Sequence, residues 1–498
     1  MQKLIKYIKT HAFIFIALVL SLTTFYKMFM PGIYSMQDFH FFRQYEFNKC
    51  VELLQIPCRW APDAGLGYGE PLFNFYGQFP YAIGEIYYLL SGSIIDSVKF
   101  LFMISLAGSV FAMFILAKEI WKNNYSALIS SLIYVYAPYR AVDVWVRGAL
   151  PEAFAFIFFP LIILSIEKKN IFYFSLSVSL LIITHNLSFI MFLPFLIVWI
   201  IYRKWWQAFL GLVAAGLLSS FYILPVIFES KFIDLLSTTQ GYFDFRAHFI
   251  TLKQIFFDQS WGYGGSAWGS EDGLNLSVGI VQWLIPLFTL SMIIYRYIII
   301  KEKKIDIKYS AFCVLFFLGL FYLFLTHNKS TFVWVNLPLM SFIQFPWRFL
   351  GVAVFCLSLA AGLSISLVKN KLFRMLIFIL VITYSLFTIH YFKPDIWYRV
   401  NDDYFITGEE WVRQRTASIG DYWPKFDHKI PSTPSNGKYI NYFPGWVSSS
   451  PIENGLILKD ESYFKDTPVR VVGNIISMVT LIGFVFISLR TKKWEKRA

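Results

Sequence analysis

Charged residues are scarce in this chain of 498 residues: they make up 15% of it, against 57% hydrophobic and 20% aromatic residues. A soluble domain averages about 25% charged and about 45–50% apolar residues. Runs of roughly 20 apolar residues recur along the whole length, and each is long enough to cross about 30 Å of hydrocarbon. The composition excludes a soluble protein and predicts an all-α polytopic membrane protein whose first partner is the lipid bilayer.

Cysteine and histidine are also scarce, with four and seven residues. Four cysteines exclude a disulfide-rich scaffold. Cys50 and Cys58 fall in one predicted outer loop, where the spacing leaves both a local disulfide and two free thiols open. The histidines form no metal-binding pattern such as HxxxH, so we predict no metal ligands, and a divalent cation has no support. No other cofactor is predicted.

The net charge of +13 does not indicate a nucleic-acid partner, because no basic stripe lies in a soluble segment. Lysine and arginine instead flank the ends of apolar runs, which is the positive-inside pattern of cytoplasmic loops. The clusters are Lys3/Lys6/Lys9, Lys118/Lys122, Lys168/Lys169, Arg203/Lys204, Lys301/Lys303/Lys304, Lys369/Lys371/Arg374 and 490–497.

Hydropathy and these basic flanks predict about twelve spans, with both termini in the cytoplasm and a first span that is retained. The predicted spans are 11–30, 97–117, 125–142, 150–166, 171–185, 188–202, 207–228, 276–299, 308–326, 349–368, 372–391 and 470–489. All cytoplasmic loops are short, so the chemistry is assigned to the outer, extracytoplasmic face.

Three long segments remain on that face: 31–96, 229–275 and 392–469. We predict a transmembrane domain over 1–391, an extracytoplasmic module over 392–469, and a last span with a basic tail over 470–498. In the first loop, FPYAIGEIYYLLSG (79–92) predicts a helix at the membrane interface. In the module, the alternation in YINYFPGWVSSS (439–450) predicts a small β-rich unit.

Ionisable side chains are almost absent from the middle of the spans and gather at their outer ends. Such groups at membrane depth are costly and usually functional, which indicates a cavity open to the outer leaflet. The group comprises Asp38, Arg140, Asp143, Arg147, Glu152, His185, Glu229, His327 and Arg348, together with the polar but non-ionisable Asn186.

Asp38 is the candidate catalytic residue, because a carboxylate just outside the first span can take a proton from an incoming hydroxyl. A helix N-cap is the alternative reading of Asp38. Arg348 offers a planar fork of donors for phosphate, with an interface anchor beside Trp347 as the alternative. Arg147 and Glu152 could pair with each other, and His185 with Asn186 could form a simple polar turn.

Several motifs resemble a known superfamily. An early loop aspartate, RWAPDAGLGYGEPLFNFY (59–76), VRGALPEAFAF (146–156), THNLS (184–188) and QFPWRF (344–349) are similar to GT-C membrane glycosyltransferases. The similarity is closer still to bacterial "6-pyruvoyl-tetrahydropterin synthase-related" membrane proteins, and looser to YfhO-type proteins. The resemblance covers nearly the whole chain.

The resemblance implies inverting transfer of a sugar from a polyprenyl-phosphate carrier to an envelope glycan, lipid or protein, on the outer face of a bacterial cytoplasmic membrane. Asp38 would be the base. The residues expected to bind the carrier phosphate are Arg348, Arg147 and Arg59. Those expected to line the substrate pocket are His40, Arg43, Glu70, Tyr76, Glu152, His185, Asn186 and His327.

Two departures from the superfamily pattern concern the acids: residue 37 is Gln where several relatives have a second acid, and Glu70 lacks the adjoining Lys. A transporter or flippase of envelope precursors is the main alternative function. Transporters commonly place their sites at mid-membrane between repeated halves, and neither feature is visible here. A protein that binds lipid-linked glycans without catalysis is the third possibility.

Overall fold

The chain is a membrane protein built from helices. The computed structural model describes residues 2–267, 272–301, 306–416, 422–426 and 430–495. Eight helices in these ranges are long and apolar enough to cross a membrane, and a ninth span is formed if the bent pair Gln207–Leu218 and Ser220–Phe232 is counted as one. The eight are Ile94–Trp121, Leu150–Glu167, Asn186–Arg203, Ile280–Ile298, Ile307–Leu325, Pro346–Leu367, Lys371–Tyr391 and Pro468–Phe486.

The predicted count of twelve spans is not confirmed, although every predicted span overlaps a helix. The difference lies in short helices. Asn124–Val135 has 12 residues and Ile171–Thr184 has 14. At 1.5 Å per residue these reach only roughly 18–21 Å, which is less than the hydrocarbon core of a typical bilayer. The first helix, Gln2–Ser21, and the turn Leu22–Thr24 that follows it contain the short apolar stretch Thr10–Thr24.

The basic ends of neighbouring spans meet at one face of the bundle. Glu119 pairs with both Lys122 and Lys168, at 2.6 Å in each case. Glu167 pairs with Arg203 at 2.7 Å. These pairs join the ends of the helices Ile94–Trp121, Leu150–Glu167 and Asn186–Arg203. Lys303 and Lys304, which belong to another predicted cluster, lie outside the described residues.

Pro346–Leu367 is the central helix, and 94% of its apolar 18-residue stretch is buried inside the structure. Its side chains pack against an aromatic cluster in which Phe355 contacts Phe159, Phe192 and Phe195. The Trp121 indole donates a hydrogen bond to the carbonyl of Leu359 at 2.9 Å. Because Arg348 lies in the first turn of this helix, the packing fixes its position.

The segment 31–96, which the sequence predicts as the first outer loop, is largely helical and returns over the bundle. Its helices are Asp38–Glu52, Ala64–Gly67, Leu72–Phe75 and Phe79–Ser91. The last one confirms the helix predicted for 79–92, and it exposes Ile86, Leu89 and Leu90. Cys50 and Cys58 form a disulfide within this loop, so the choice that the spacing left open is resolved.

The segment 392–469 contains short strands and two short helices, and a β-rich unit is not confirmed. Strand Tyr439–Asn441 pairs with Leu456–Leu458, and Trp446–Ser448 pairs with Ser462–Phe464, both antiparallel. The strand at Trp397–Tyr398 pairs instead with Ile33–Tyr34 of the first loop. The helices are Asp402–Phe405 and Gly408–Arg415. Sheets of two or three residues per strand gain little stability alone and depend on what they pack against.

The segment 392–469 packs closely on the first outer loop. Trp60 of the loop contacts Phe443, Trp446 and Phe464. The Asn441 side chain donates a hydrogen bond to the carbonyl of Gly69 at 2.9 Å. Two regions that are far apart in sequence therefore pack into one layer.

Candidate active site

Asp38 is the first residue of the helix Asp38–Glu52, and 4% of it is exposed. Its Oδ2 accepts a hydrogen bond from Nη2 of Arg413 at 2.6 Å. Burial raises the pKa of the Asp38 carboxyl to about 6, although the charge of Arg413 opposes this rise. A carboxylate that gains a proton near neutral pH is suited to general-base chemistry. The N-cap alternative is wrong, because Gln37 occupies that position.

Arg413 comes from the segment 392–469 and was not singled out by the sequence. It binds Asp38 and also Glu410, whose carboxylate receives hydrogen bonds from Nε and Nη2 at 2.6–3.0 Å. Asp38 and Arg413 are 375 residues apart in the chain. A recess of about 630 Å³ opens beside Arg413, and Tyr404, Thr407, Glu409 and Glu410 also line it.

Glu152 lies at the centre of a second charged group. Its Oε2 is 3.0 Å from Nη1 of Arg147 and 3.7 Å from Nε of Arg348. Arg147 also binds Asp143 at 2.8 Å, and the hydroxyl of Tyr139 donates to Oε1 of Glu152. The predicted Arg147–Glu152 pair is therefore confirmed, and the structure adds Arg348 to it. We call these five residues the Glu152 cluster.

Aromatic rings support both guanidinium groups of the Glu152 cluster. The Arg147 guanidinium lies 4.6 Å from the centre of the Trp347 ring. The Arg348 guanidinium lies 5.0 Å from the Phe345 ring and donates to the carbonyl of Ile343 at 2.8 Å. Because the rings and the backbone orient the two arginines, their remaining N–H groups form a fixed set of donors of the kind that binds phosphate.

His185 and Asn186 adjoin the Glu152 cluster at the turn between two helices. His185 Nδ1 is 2.6 Å from the hydroxyl of Ser188. Burial lowers the pKa of His185 to about 4, against the attraction of the Glu152 carboxylate. The imidazole is therefore neutral at physiological pH. Asn186 begins the helix Asn186–Arg203 and is half-buried.

His40 joins the Asp38 helix to the segment that carries Arg147. Its Nδ1 is 2.8 Å from the hydroxyl of Tyr81, and its Nε2 contacts the carbonyl oxygen of Gly148. Burial lowers the pKa of His40 to about 3, so the ring stays neutral. Gly148 has φ +57°, and a Cβ there would lie 2.3 Å from the carbonyl oxygen of Met36. Only glycine fits this close contact.

Arg43 and Tyr76 form a further contact within the first loop. Nη1 of Arg43 donates to the Tyr76 hydroxyl at 2.8 Å. The neighbouring Gly77 is packed against the carbonyl of Thr184, one residue before His185. The first loop thus brings Arg43 and Tyr76 to the side of the bundle that carries the Glu152 cluster.

Arg59 lies in a different polar group, although it was predicted to bind phosphate with Arg147 and Arg348. Its Nη2 donates to Oδ1 of Asn474 at 3.0 Å. Burial lowers the pKa of Arg59 to about 10. The neighbouring Glu229 binds Arg470 at 2.9 Å and accepts from Asn74 at 2.7 Å. This group attaches the first loop to the last span, which is a structural role.

Glu70 and His327 are also placed apart from Asp38. The Glu70 backbone pairs with Ala61, and its side chain is buried beside Gly65. His327 Nδ1 accepts from the backbone N–H of Lys329 at 3.2 Å, which caps a short helical turn. Within the described ranges, no three His, Cys, Asp or Glu side chains are grouped closely enough to hold a metal ion.

No known family model matches the chain, and no curated protein matches it. Among solved structures, the arabinofuranosyltransferase AftD from Mycobacteria is similar over 81% of this chain and 28% of its own, with 13% identity and a TM-score of 0.46. An oligosaccharyltransferase from Archaeoglobus fulgidus, in the apo form, is similar over 84% of this chain and 57% of its own, with 11% identity and a TM-score of 0.41. The chain spans less than two thirds of either protein, and at these scores neither likeness assigns a fold or an activity.

Proposed function

We propose that this protein is an inverting glycosyltransferase of the GT-C type, which moves a sugar from a polyprenyl-phosphate carrier to an envelope acceptor on the outer face of a bacterial cytoplasmic membrane. The observation that carries this proposal is the Asp38 carboxyl, which is buried, has a pKa of about 6 and is held by Arg413. The donor class is what the resemblance of the sequence motifs to GT-C membrane glycosyltransferases implies.

Asp38 acts as the general base in this reaction. The acceptor hydroxyl oxygen attacks the anomeric carbon of the donor, and Asp38 takes the hydroxyl proton as the new C–O bond forms. The bond to the carrier phosphate breaks on the opposite side, and its electron pair leaves with the phosphate. A positioned base of this kind contributes typically ~10²–10⁴ in rate. Arg413 keeps the carboxylate oriented while one of its oxygens receives the proton.

Arg147 and Arg348 hold the carrier phosphate. Arg348 is the better placed to turn towards a ligand, because its Nε is 3.7 Å from Glu152, whereas Arg147 is at 3.0 Å. A phosphate bound here would accept hydrogen bonds from the guanidinium groups of Arg147 and Arg348. Its negative charge would balance their positive charge, as the Glu152 carboxylate does. The lipid tail stays in the bilayer, so the donor must enter sideways at headgroup depth. The acceptor is an envelope glycan, lipid or protein.

Native mass spectrometry tests the donor class directly. We expect polyprenyl phosphate, or its sugar conjugate, on wild-type protein extracted gently from its own membranes, and its loss in Arg348→Ala. Arg246→Ala is the matched control, since Arg246 is an exposed arginine of another outer loop. Absence of any such lipid from wild type would contradict the proposal.

A transfer assay tests the base. Asp38→Asn should bind the same lipid as wild type and lose product formation by at least about 10²-fold. Asp395→Asn is the control, because Asp395 is exposed on the same face. Flux of the lipid across proteoliposomes without formation of a glycosidic bond would instead identify a transporter.

A further inference from the structure

Two apolar recesses flank one helix at the end of the bundle opposite the candidate active site. The first, of about 920 Å³, lies between Ile280–Ile298 and Lys371–Thr388. The second, of about 660 Å³, lies between Ile280–Ile298 and Ile307–Leu325. Their walls are almost wholly aliphatic and aromatic, with Phe288, Met292 and Ile377 in the first. Within a bilayer, recesses of this composition are filled by hydrocarbon chains rather than by water.

Arg296 lines both recesses and stands where they meet. Its Nη1 donates to the Tyr309 hydroxyl at 2.9 Å, and its Nη2 donates to the carbonyl of Leu367 at 2.8 Å. These bonds orient the guanidinium and connect three helices. A guanidinium has five N–H donors, so Arg296 can also bind an anionic ligand without losing these two hydrogen bonds.

Other basic side chains lie at the same end. Lys369 lines the first recess, and Lys371 and Arg374 follow within five residues and are exposed. In the part of the chain that the structure describes, neither recess is lined by Asp or Glu. The site therefore combines an apolar interior with a positively charged rim, which is the complement of an anionic phospholipid.

We propose that this site binds a phospholipid with a negatively charged headgroup, with its phosphate on Arg296 and Lys369 and its acyl chains in the two recesses. The site does not depend on the proposed transferase reaction. Leu367, which Arg296 contacts, is separated from Arg348 by almost the whole central helix, roughly 30 Å at 1.5 Å per residue. The bound lipid would stabilise the junction of the three helices that Arg296 connects.

Lipid titration of delipidated, full-length protein tests this proposal. Dioleoyl phosphatidylglycerol and dioleoyl phosphatidylcholine share the same chains and differ in net charge. We expect phosphatidylglycerol to bind at least about fivefold more tightly by native mass spectrometry, since each nearby basic group contributes about that factor at an anionic surface. It should also raise the apparent Tm more than phosphatidylcholine does.

Two variants locate the site. The double substitution Lys369→Glu and Lys371→Glu reverses charge at exposed positions and should abolish the preference for phosphatidylglycerol. Leu376→Trp places a bulky ring in the first recess and should weaken binding of both lipids. Lys253→Glu, at an exposed lysine of an outer loop, is the control and should behave as wild type.

Equal binding of the two lipids to wild type would overturn the proposal. So would a preference for phosphatidylglycerol that survives the double charge reversal, or a lipid-free dimer that occludes the recesses. None of these results bears on sugar transfer, because activity is measured at the other end of the helices.

Discussion

Replacing Asp38 by Asn should change how the stability of the protein depends on pH. The carboxyl is buried, and its pKa in the folded protein is about 6, against 3.8 without the protein environment. The fold therefore favours the protonated form. The raised pKa of Asp38 adds to the free energy of unfolding, and this stabilisation is fully present below about pH 4. It is lost as the pH rises through 6.

The size of this effect follows from the difference between the two pKa values. A difference of about two units corresponds to about 3 kcal/mol at high pH, at about 1.4 kcal/mol per unit. Part of this cost is already present at pH 4.5, so the change between pH 4.5 and 8 is about 2 kcal/mol. Asn cannot ionise, so Asp38→Asn lacks this change. Any difference between protonated Asp38 and Asn in their contacts with Arg413 adds an offset that does not depend on pH.

Thermal unfolding in detergent, followed at several pH values, measures the effect. The apparent Tm of Asp38→Asn, relative to wild type, should rise between pH 4.5 and pH 8, with most of the rise complete by about pH 6. Asp395→Asn should show no such trend, because Asp395 is exposed. A constant difference between Asp38→Asn and wild type across this range would show that Asp38 is not a buried carboxyl with a raised pKa.

Three further predictions concern the neighbouring contacts. Arg413→Gln should move the pH midpoint of sugar transfer upwards, because Arg413 lowers the pKa of Asp38; a pH–rate profile shows the shift. Glu152→Gln leaves two buried guanidinium groups with less neutralising charge and should cost about 3–5 kcal/mol in unfolding free energy. Gly148→Ala should cost at least about 1–3 kcal/mol, because its φ is +57° and the Cβ would meet a backbone oxygen. Gly216→Ala, in open space, should be close to neutral by the same thermal assay.

The membrane class and the positions of the helices were predictable because hydropathy is a local property of the chain. An apolar run must satisfy its own backbone hydrogen bonds in lipid, so it becomes helical wherever it stands. The number of full spans was less predictable. Helices such as Asn124–Val135 are apolar enough to be counted, yet too short to cross the core alone. Their burial among longer helices is a property of the packed bundle.

The gathering of ionisable groups at one end of the bundle was also visible in the sequence, and the Arg147–Glu152 pair was among the predicted alternatives. The other contacts of these ionisable groups could not be predicted from the sequence. Arg413 lies in the short helical stretch GEEWVRQR. Within that stretch, the spacing indicates an ion pair between Arg413 and Glu410, three residues earlier. Arg59 was grouped with the other arginines by charge alone, whereas the structure places it beside Asn474 of the last span.

The sequence by itself determined that the chain is a helical membrane protein, where its helices lie, and which end of them carries the polar side chains. These properties depend on residues close together in the chain. The tertiary structure decided which charges meet: Asp38 with Arg413, Arg348 with Glu152, and Arg59 with the last span. Such pairs join residues up to several hundred positions apart, and their geometry depends on how the first loop and the segment 392–469 pack over the bundle. No local pattern in the sequence encodes that packing.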